Sequence, residues 1–387
     1  VTPTTPSAPA SPRVVLDAGG AAPLLPETLE ALYAARLEAW SGPRRLHSEG
    51  RRANLLLGAA RETVAAAVGA RTEEVRFAPS HTAALHAAVG AIAPARRRIG
   101  RRIVASAVER SAVLAAAEHT SPDEVTLVPV DSLGRVDADA FGTAVAGEGV
   151  GLACLQHANA EVGTLQPVSA VHAAARTAGV PLLVDAGASL GHVDVGPSWD
   201  VLIADPADWG GPDGVGVLVV RAGVRARVLT PEDPDPWFPG GASTAVAFAA
   251  AVSLAAARSR QAAEDARLRA LVARIRERVP TLVPDVDVVG DPTDRLPHVL
   301  TFSCLYVDGE AILGELDAAG FAVGSGSACT SLTLRPSHVL AAMGALTQGN
   351  VRITLHPGVS EDDVERFCAV LPGAVARVRA RLGADLP

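Results

Sequence analysis

Hydrophobic positions along the chain fall into short runs separated by longer amphipathic stretches. Val14-Val15-Leu16-Asp17 forms a strand that runs into the turn pair Gly19-Gly20. Pro26-Glu27-Thr28 opens a helix to about Trp40, with Leu29, Leu32 and Leu37 as its apolar positions. A second helix is predicted over 53–69, followed by a strand at 74–77. Further strands are predicted at 102–105, 125–130, 151–155, 181–185 and 201–204, alternating with helical stretches. Apolar runs this short, divided by helices, indicate buried parallel strands in an α/β layer fold. The run 214–220 is expected to return antiparallel.

From about Ala245 a helix covers 245–258 and resumes to 278, leading to a second region that reads β-α-β-α. Its elements are a strand at 299–304, a helix at 309–319, a strand at 351–355 and a helix at 360–382. The expected organisation has three parts. Residues 1–13, rich in Pro, Ser and Thr, form a disordered leader. Residues 14–245 form a large α/β domain whose extreme N-terminal part packs with the small domain. Residues 246–387 form a linker helix and a small C-terminal α+β domain.

Composition narrows the chemistry. Of 387 residues, 49% are hydrophobic but only 3% aromatic, so alanine, valine and leucine must fill the interior. A net charge of −8 argues against a nucleic-acid partner, and the arginines at 96–98, 101 and 102 read as solvated surface. Cys154, Cys304, Cys329 and Cys368 show no C-x-x-C spacing. Cys154 and Cys304 fall in predicted strands and Cys368 on a helix face, so all three read as core residues. His47 and His81 show no ligand spacing and read as ordinary polar residues near helix starts, so no metal site is expected. No apolar run is long enough to span a bilayer, and the first residues lack a signal-peptide pattern, so a cytoplasmic protein is expected. Every one of the 34 basic residues is arginine. Without lysine, no step of the chemistry can use a side-chain ε-amine.

Several segments, in order, resemble one family. Leu16-Asp17-Ala18-Gly19-Gly20-Ala21-Ala22-Pro23 is similar to L-D-N-A-A-T-T-P, and Leu46-His47-Ser48-Glu49-Gly50-Arg51 to L-H-S-x-G-R. Asn159-Ala160-Glu161-Val162-Gly163-Thr164-Leu165-Gln166-Pro167 resembles N-N-E-x-G-x-x-Q-P, and Val184-Asp185-Ala186 matches V-D-A. Gly210-Gly211-Pro212-Asp213-Gly214-Val215-Gly216 is similar to G-G-P-K-G-x-G. Ser325-Gly326-Ser327-Ala328-Cys329-Thr330-Ser331 is identical to the loop S-G-S-A-C-T-S, and 349–355 resembles an arginine-bearing strand. These are segments of the cysteine desulfurases, in the class V aminotransferase branch of fold-type I pyridoxal-phosphate (PLP) enzymes.

The resemblance implies a large, mostly parallel α/β/α domain, a smaller C-terminal α+β domain and a homodimer. It implies that Cys329 is the persulfide-forming nucleophile and that Arg352 grips a substrate carboxylate. A strand arginine paired with a carboxylate is an equally good reading of Arg352. Alignment on Gly210-Gly211-Pro212 puts Asp208 at the position of the family's PLP lysine, Ala207 at a histidine and Asp205 at a serine. Arg110 stands for the ring-stacking histidine, Ala188 for a glutamine and Ala160 for the second asparagine. Thr82, Asp185 and Asn159 remain as remnants of the cofactor-binding set. From the residues alone, Thr82 reads as a helix N-cap and Asp185 as a cap for a neighbouring turn. No cofactor is expected.

Three functions stay open on these residues. One is cofactor-free sulfur handling through Cys329, with an active desulfurase or a sulfur acceptor as partner. The second is a non-catalytic scaffold or regulator. The third is cysteine desulfurase activity, L-cysteine to L-alanine plus an enzyme persulfide.

Overall fold

A computed structural model describes residues 12–228, 230, 232, 235–326 and 336–383. The expected leader lies outside the described residues except for Pro12 and Arg13. These two lie against the small domain, where Arg366 donates to the Pro12 carbonyl at 3.2 Å and Arg13 pairs with Asp317.

The chain begins with β1 (Val14–Val15), α1 (Pro26–Glu38), α2 (Ser48–Val68), β2 (Val75–Ala78) and α3 (His81–Ala95). There follow β3 (Arg102–Ser106), α4 (Ser111–Thr120), β4 (Val125–Val128), α5 (Ala138–Val145), β5 (Val150–Gln156) and α6 (Val168–Thr177). Next come β6 (Leu182–Asp185), β7 (Val201–Ala204), β8 (Gly216–Val220) and α7 (Thr244–Leu282). The small domain holds β9 (Val286–Val289), β10 (Val299–Cys304), α8 (Gly309–Ala318) and β11 (Phe321–Ala322). It closes with α9 (His338–Ala342), β12 (Asn350–Thr354) and α10 (Glu361–Arg381).

Seven strands form the large sheet in the order β2-β8-β7-β6-β5-β3-β4. Its pairs are parallel except those of β8, which runs antiparallel to both β2 and β7. Both faces are covered, which explains the unalternating apolar runs. In β7, Val201 and Ile203 join the core beneath α3 and α4, whereas Leu202 and Ala204 join the core shared with α2, α6 and α7. The result is the α/β fold-type I architecture, a seven-stranded mixed sheet with a small C-terminal domain.

Besides β11 and α9, which the β-α-β-α pattern leaves out, two elements differ from the sequence reading. The helix expected to pause near Arg258 is unbroken over 39 residues, about 58 Å at 1.5 Å per residue. Its polar middle bridges two cores rather than marking a break. Ala247, Ala250, Ala251 and Leu254 pack into the large domain, and Leu268, Leu271, Val272 and Ile275 into the small one. The second difference is β9, an antiparallel edge strand beside β10, hidden in the sequence because Asp287 interrupts it at an exposed position. At the other end of the chain, β1 pairs in parallel with β11, and Val14 and Leu16 are buried in the small-domain core.

The start of β8 fixes the turn that positions the candidate site. Gly216 pairs with Ala78, and a Cβ there would lie 2.5 Å from the Ser80 carbonyl carbon, inside van der Waals contact. Gly216→Ala is therefore expected to destabilise the fold by about 1–3 kcal/mol, as overpacking does. A urea midpoint lower than that of the unmutated chain checks this.

Candidate functional site

The C-terminal ends of the parallel strands meet the small domain at a cleft, the usual place for chemistry in such sheets. Strand β6 ends on Asp185, whose carboxylate is buried. His81 Nε2 donates to its Oδ1 at 2.8 Å, Arg110 Nε to its Oδ2 at 3.1 Å, and the Gly187 amide to Oδ1 at 2.8 Å. Burial by itself would raise the Asp185 carboxyl. The charges of His81 and Arg110 and the His81 hydrogen bond outweigh it and hold the group well below the usual carboxylate range.

These contacts correct three expectations. Ser80, not Thr82, caps α3, accepting from the Ala83 amide at 3.0 Å, and Thr82 lies exposed on the first turn. His81 is no ordinary polar residue, because its ring is buried and committed to Asp185. Asp185 does accept from the next turn, as a cap would, but its principal partners are the His81 ring and the Arg110 guanidinium. His47 does sit at a helix start, accepting from the Gly50 amide at the N-cap of α2.

Around this clamp two carboxyls are buried. Glu109 Oε1 accepts from the Gln156 amide at 2.8 Å, while Oε2 has no partner among the described residues. Burial pushes the Glu109 carboxyl up to about 8, against the Gln156 hydrogen bond. Glu161 is pushed up by burial to about 7, against a Ser337 hydrogen bond and the Arg352 charge. Asn159 shapes the turn: Oδ1 accepts from the amides of Glu161 and Val162, and Nδ2 donates to the Val108 carbonyl. Its polar atoms are already engaged, and the neighbouring Ala160 offers none.

Arg352, buried on β12, donates from Nη2 to Asp17 at 2.9 Å and from Nη1 to the Gly326 carbonyl at 3.3 Å. Its Nε has no partner among the described residues. Opposite, His338 Nε2 donates to the Glu109 carbonyl at 2.8 Å. Arg110, Glu161, Gly326, His338 and Arg352 line a cavity of about 70 Å³. Cys329 lies outside the described residues, which lead toward it as far as Gly326. The other three cysteines are buried, and burial raises each thiol, that of Cys304 to about 11.

After β7, Asp205 Oδ1 accepts from the Ala207 amide and starts a single tight turn, Pro206–Trp209. Asp208 on this turn is buried. Its Oδ1 accepts from the Gly20 amide at 2.8 Å, and its Oδ2 lies 3.5 Å from His192 Nε2 and 3.9 Å from His298 Nε2. Burial opposes the charge on Asp208, but His192 first, then His298 and the Gly20 amide, lower its carboxyl below the ordinary value. Ala188 and Ala207 are buried and contribute no polar side chain. Sequence reasoning missed His192, His298, Glu109 and Glu161 as site residues. Glu161, in the Asn159-Ala160-Glu161 motif, and Glu109, beside Arg110 in the segment aligned with the ring-stacking histidine, carried a signal; the two histidines carried none.

The chain matches the aminotransferase class-V family over residues 14–246 and 241–367. It is 34% identical to a cysteine desulfurase of Cereibacter sphaeroides, covering 95% of this chain and 97% of that one. It is 31% identical to the cysteine desulfurase IscS of Dictyoglomus turgidum, covering 95% of each. Among solved structures, a NifS-like protein superposes with a TM-score of 0.87 at 25% identity, over 94% of this chain and all of that one. The apo cysteine desulfurase of Thermococcus onnurineus NA1 shares the fold, with a TM-score of 0.83 at 20% identity, over 94% of this chain and 95% of that one. With the family matched from β1 into α10 and about a third of the residues shared over nearly the whole length, the chain belongs to the class V aminotransferases, in the cysteine desulfurase family.

Proposed function

We propose that this family member handles sulfur without PLP, with Cys329 taking sulfane sulfur from a persulfide donor and passing it on. The observation that carries the reading is Asp208. A buried carboxylate stands where alignment on Gly210-Gly211-Pro212 puts the cofactor lysine, in a chain with no lysine. A carboxylate forms no imine and repels a phosphate. Asp185, which in the family faces the pyridinium nitrogen, is taken by His81 and Arg110. The cavity of about 70 Å³ is also small beside ligand pockets of about 300 Å³ or more. In this reading the residues of the cleft do not fit PLP.

The transfer needs no oxidant. The Cys329 thiolate attacks the outer sulfur of a donor persulfide, R–S–SH. A new bond forms between Cys329 Sγ and that sulfur, the donor S–S bond breaks, and R–S⁻ leaves with the electron pair. Arg352 holds the Gly326 carbonyl, three residues before Cys329 in the sequence. A second copy of the chain and an active desulfurase as donor are the partners this reading implies.

The relatives' names favour a second reading, turnover of L-cysteine to L-alanine. An alanine-release assay with added PLP separates the two. No alanine above the protein-free control and no stable visible band are expected. Asp208→Lys alone is expected to restore nothing, because Asp205, Ala207, Arg110 and Ala188 also lack the family's groups. Turnover by the unmutated chain would establish the second reading instead.

Cys329 is expected to alkylate fastest of the four cysteines. A thiol at about 11, as in Cys304, carries roughly two orders of magnitude less thiolate than a free one near 8.5. Mixed with an active desulfurase and cysteine, the chain is expected to gain the mass of one sulfur atom on Cys329, and Cys329→Ser to lose it. Labelling spread evenly over the cysteines, or no added sulfur, leaves the scaffold role.

A further inference from the structure

We propose that His192, Asp208 and His298 form a binding site for a divalent transition-metal cation of the zinc class, between the large domain and the small one. The three side chains each present one donor atom, and these atoms lie within 4.8 Å of one another. Asp208 Oδ2 is 3.5 Å from His192 Nε2 and 3.9 Å from His298 Nε2. In a tetrahedral site with bonds of 2.0–2.1 Å the donors stand about 3.3 Å apart, so the two pairs made by Asp208 Oδ2 have only a few tenths of an ångström to close. Two imidazoles and one carboxylate are a common set for a zinc site that keeps a fourth position open.

What marks the cluster is its unpaired atoms. Asp208 Oδ2 and both ring nitrogens of His298 are buried with no hydrogen-bond partner among the described residues, and His298 is only 1% exposed. Buried polar atoms are otherwise almost always paired, so Asp208 Oδ2 and His298 Nε2, unpaired and 3.9 Å apart, call for an occupant between them.

The surroundings hold the donors in place. The Gly20 amide fixes Asp208 Oδ1, so that Oδ2 turns toward the histidines. Gly191 adopts φ +93°, where a Cβ would lie 2.6 Å from the Trp209 Cβ, and this close passage brings His192 beside Asp208. His192 Nε2 lies 3.1 Å from the Asp208 carbonyl oxygen, to which its proton is donated. Coordination through Nε2 takes the other tautomer, with the ring proton on Nδ1, and gives up this hydrogen bond. The two rings stack at 3.7 Å with 21° between their planes, so coordination requires them to splay until both Nε2 lone pairs converge.

A cavity of about 240 Å³ opens beside His192 and Asp208 and gives the fourth position access. Glu264 and Asp265 on its wall are paired with Arg267 and Arg269, so neither competes as a ligand. The sequence hid this site because its ligands come from three separate connections, after β6, after β7 and before β10.

Titration of the chelator-treated full chain with Zn²⁺ tests the proposal, together with the visible spectrum of the Co²⁺ form. One equivalent of zinc per chain is expected, with four-coordinate cobalt bands and no thiolate charge-transfer band. His298→Asn and Asp208→Asn are each expected to weaken zinc binding by about 100-fold or more, and Cys329→Ser to leave it unchanged. Should a variant not fold, the cobalt spectrum of the unmutated chain decides. No zinc uptake, uptake indifferent to both variants, or a thiolate band overturns the site. Any of these results leaves the sulfur-transfer reading standing, because Cys329 is not among the ligands.

Discussion

A carboxylate in the interior must be met by positive charge, and the central interaction here is the one that meets Asp185. Its two side-chain partners come from different elements: His81 opens α3 and Arg110 precedes α4. Because β6 lies near the middle of the seven-stranded sheet, the clamp ties the turns after β2, β3 and β6 to one point. Removing one partner of such a buried pair typically costs about 3–5 kcal/mol, since the remaining charge stays uncompensated. Ser80, which caps α3, and Gly216, which lets β8 pass under that turn, are the backbone devices that keep His81 in register with Asp185.

A second buried carboxylate, Asp208, organises the opposite side of the cleft by different means. Among the described residues no arginine forms an ion pair with it; a backbone amide holds one oxygen and two histidines face the other. The charge of Asp208 is therefore met by side chains that are themselves titratable. The cleft as a whole is a set of charges arranged to satisfy one another: Arg352 with Asp17, Asp185 with His81 and Arg110. Glu109 and Glu161, which lack full partners, are raised toward neutrality instead.

Much of this was legible in the sequence, for physical reasons that also mark its limits. Buried parallel strands announce themselves as apolar runs, so β3, β5, β6 and β7 were readable to within a residue or two. The three described cysteines fell inside such patterns and are in the cores. Edge strand β9 was not readable, because one polar face gives no run. Side-chain direction was harder still. Ser80 and Thr82 have equal capping chemistry, and only the backbone angle at Ser80 decides between them. His81 looked like surface because nothing local says that its ring turns inward. His192 and His298 carried no signal at all, since proximity between distant connections is a property of the fold.

The uninterrupted helix α7 has a consequence for how the molecule comes apart. Its first turns are walls of one core and its last turns are walls of the other. An isolated helical segment of a dozen residues is marginal in water, so neither half of α7 holds its shape once its own core has melted. Loss of the small-domain core would send fraying up the rod toward Leu254, and loss of the large one would send it down toward Leu268. The two hydrophobic interiors are thereby linked into one cooperative unit through a shared backbone, although they touch different faces of solvent and are built from different sheets.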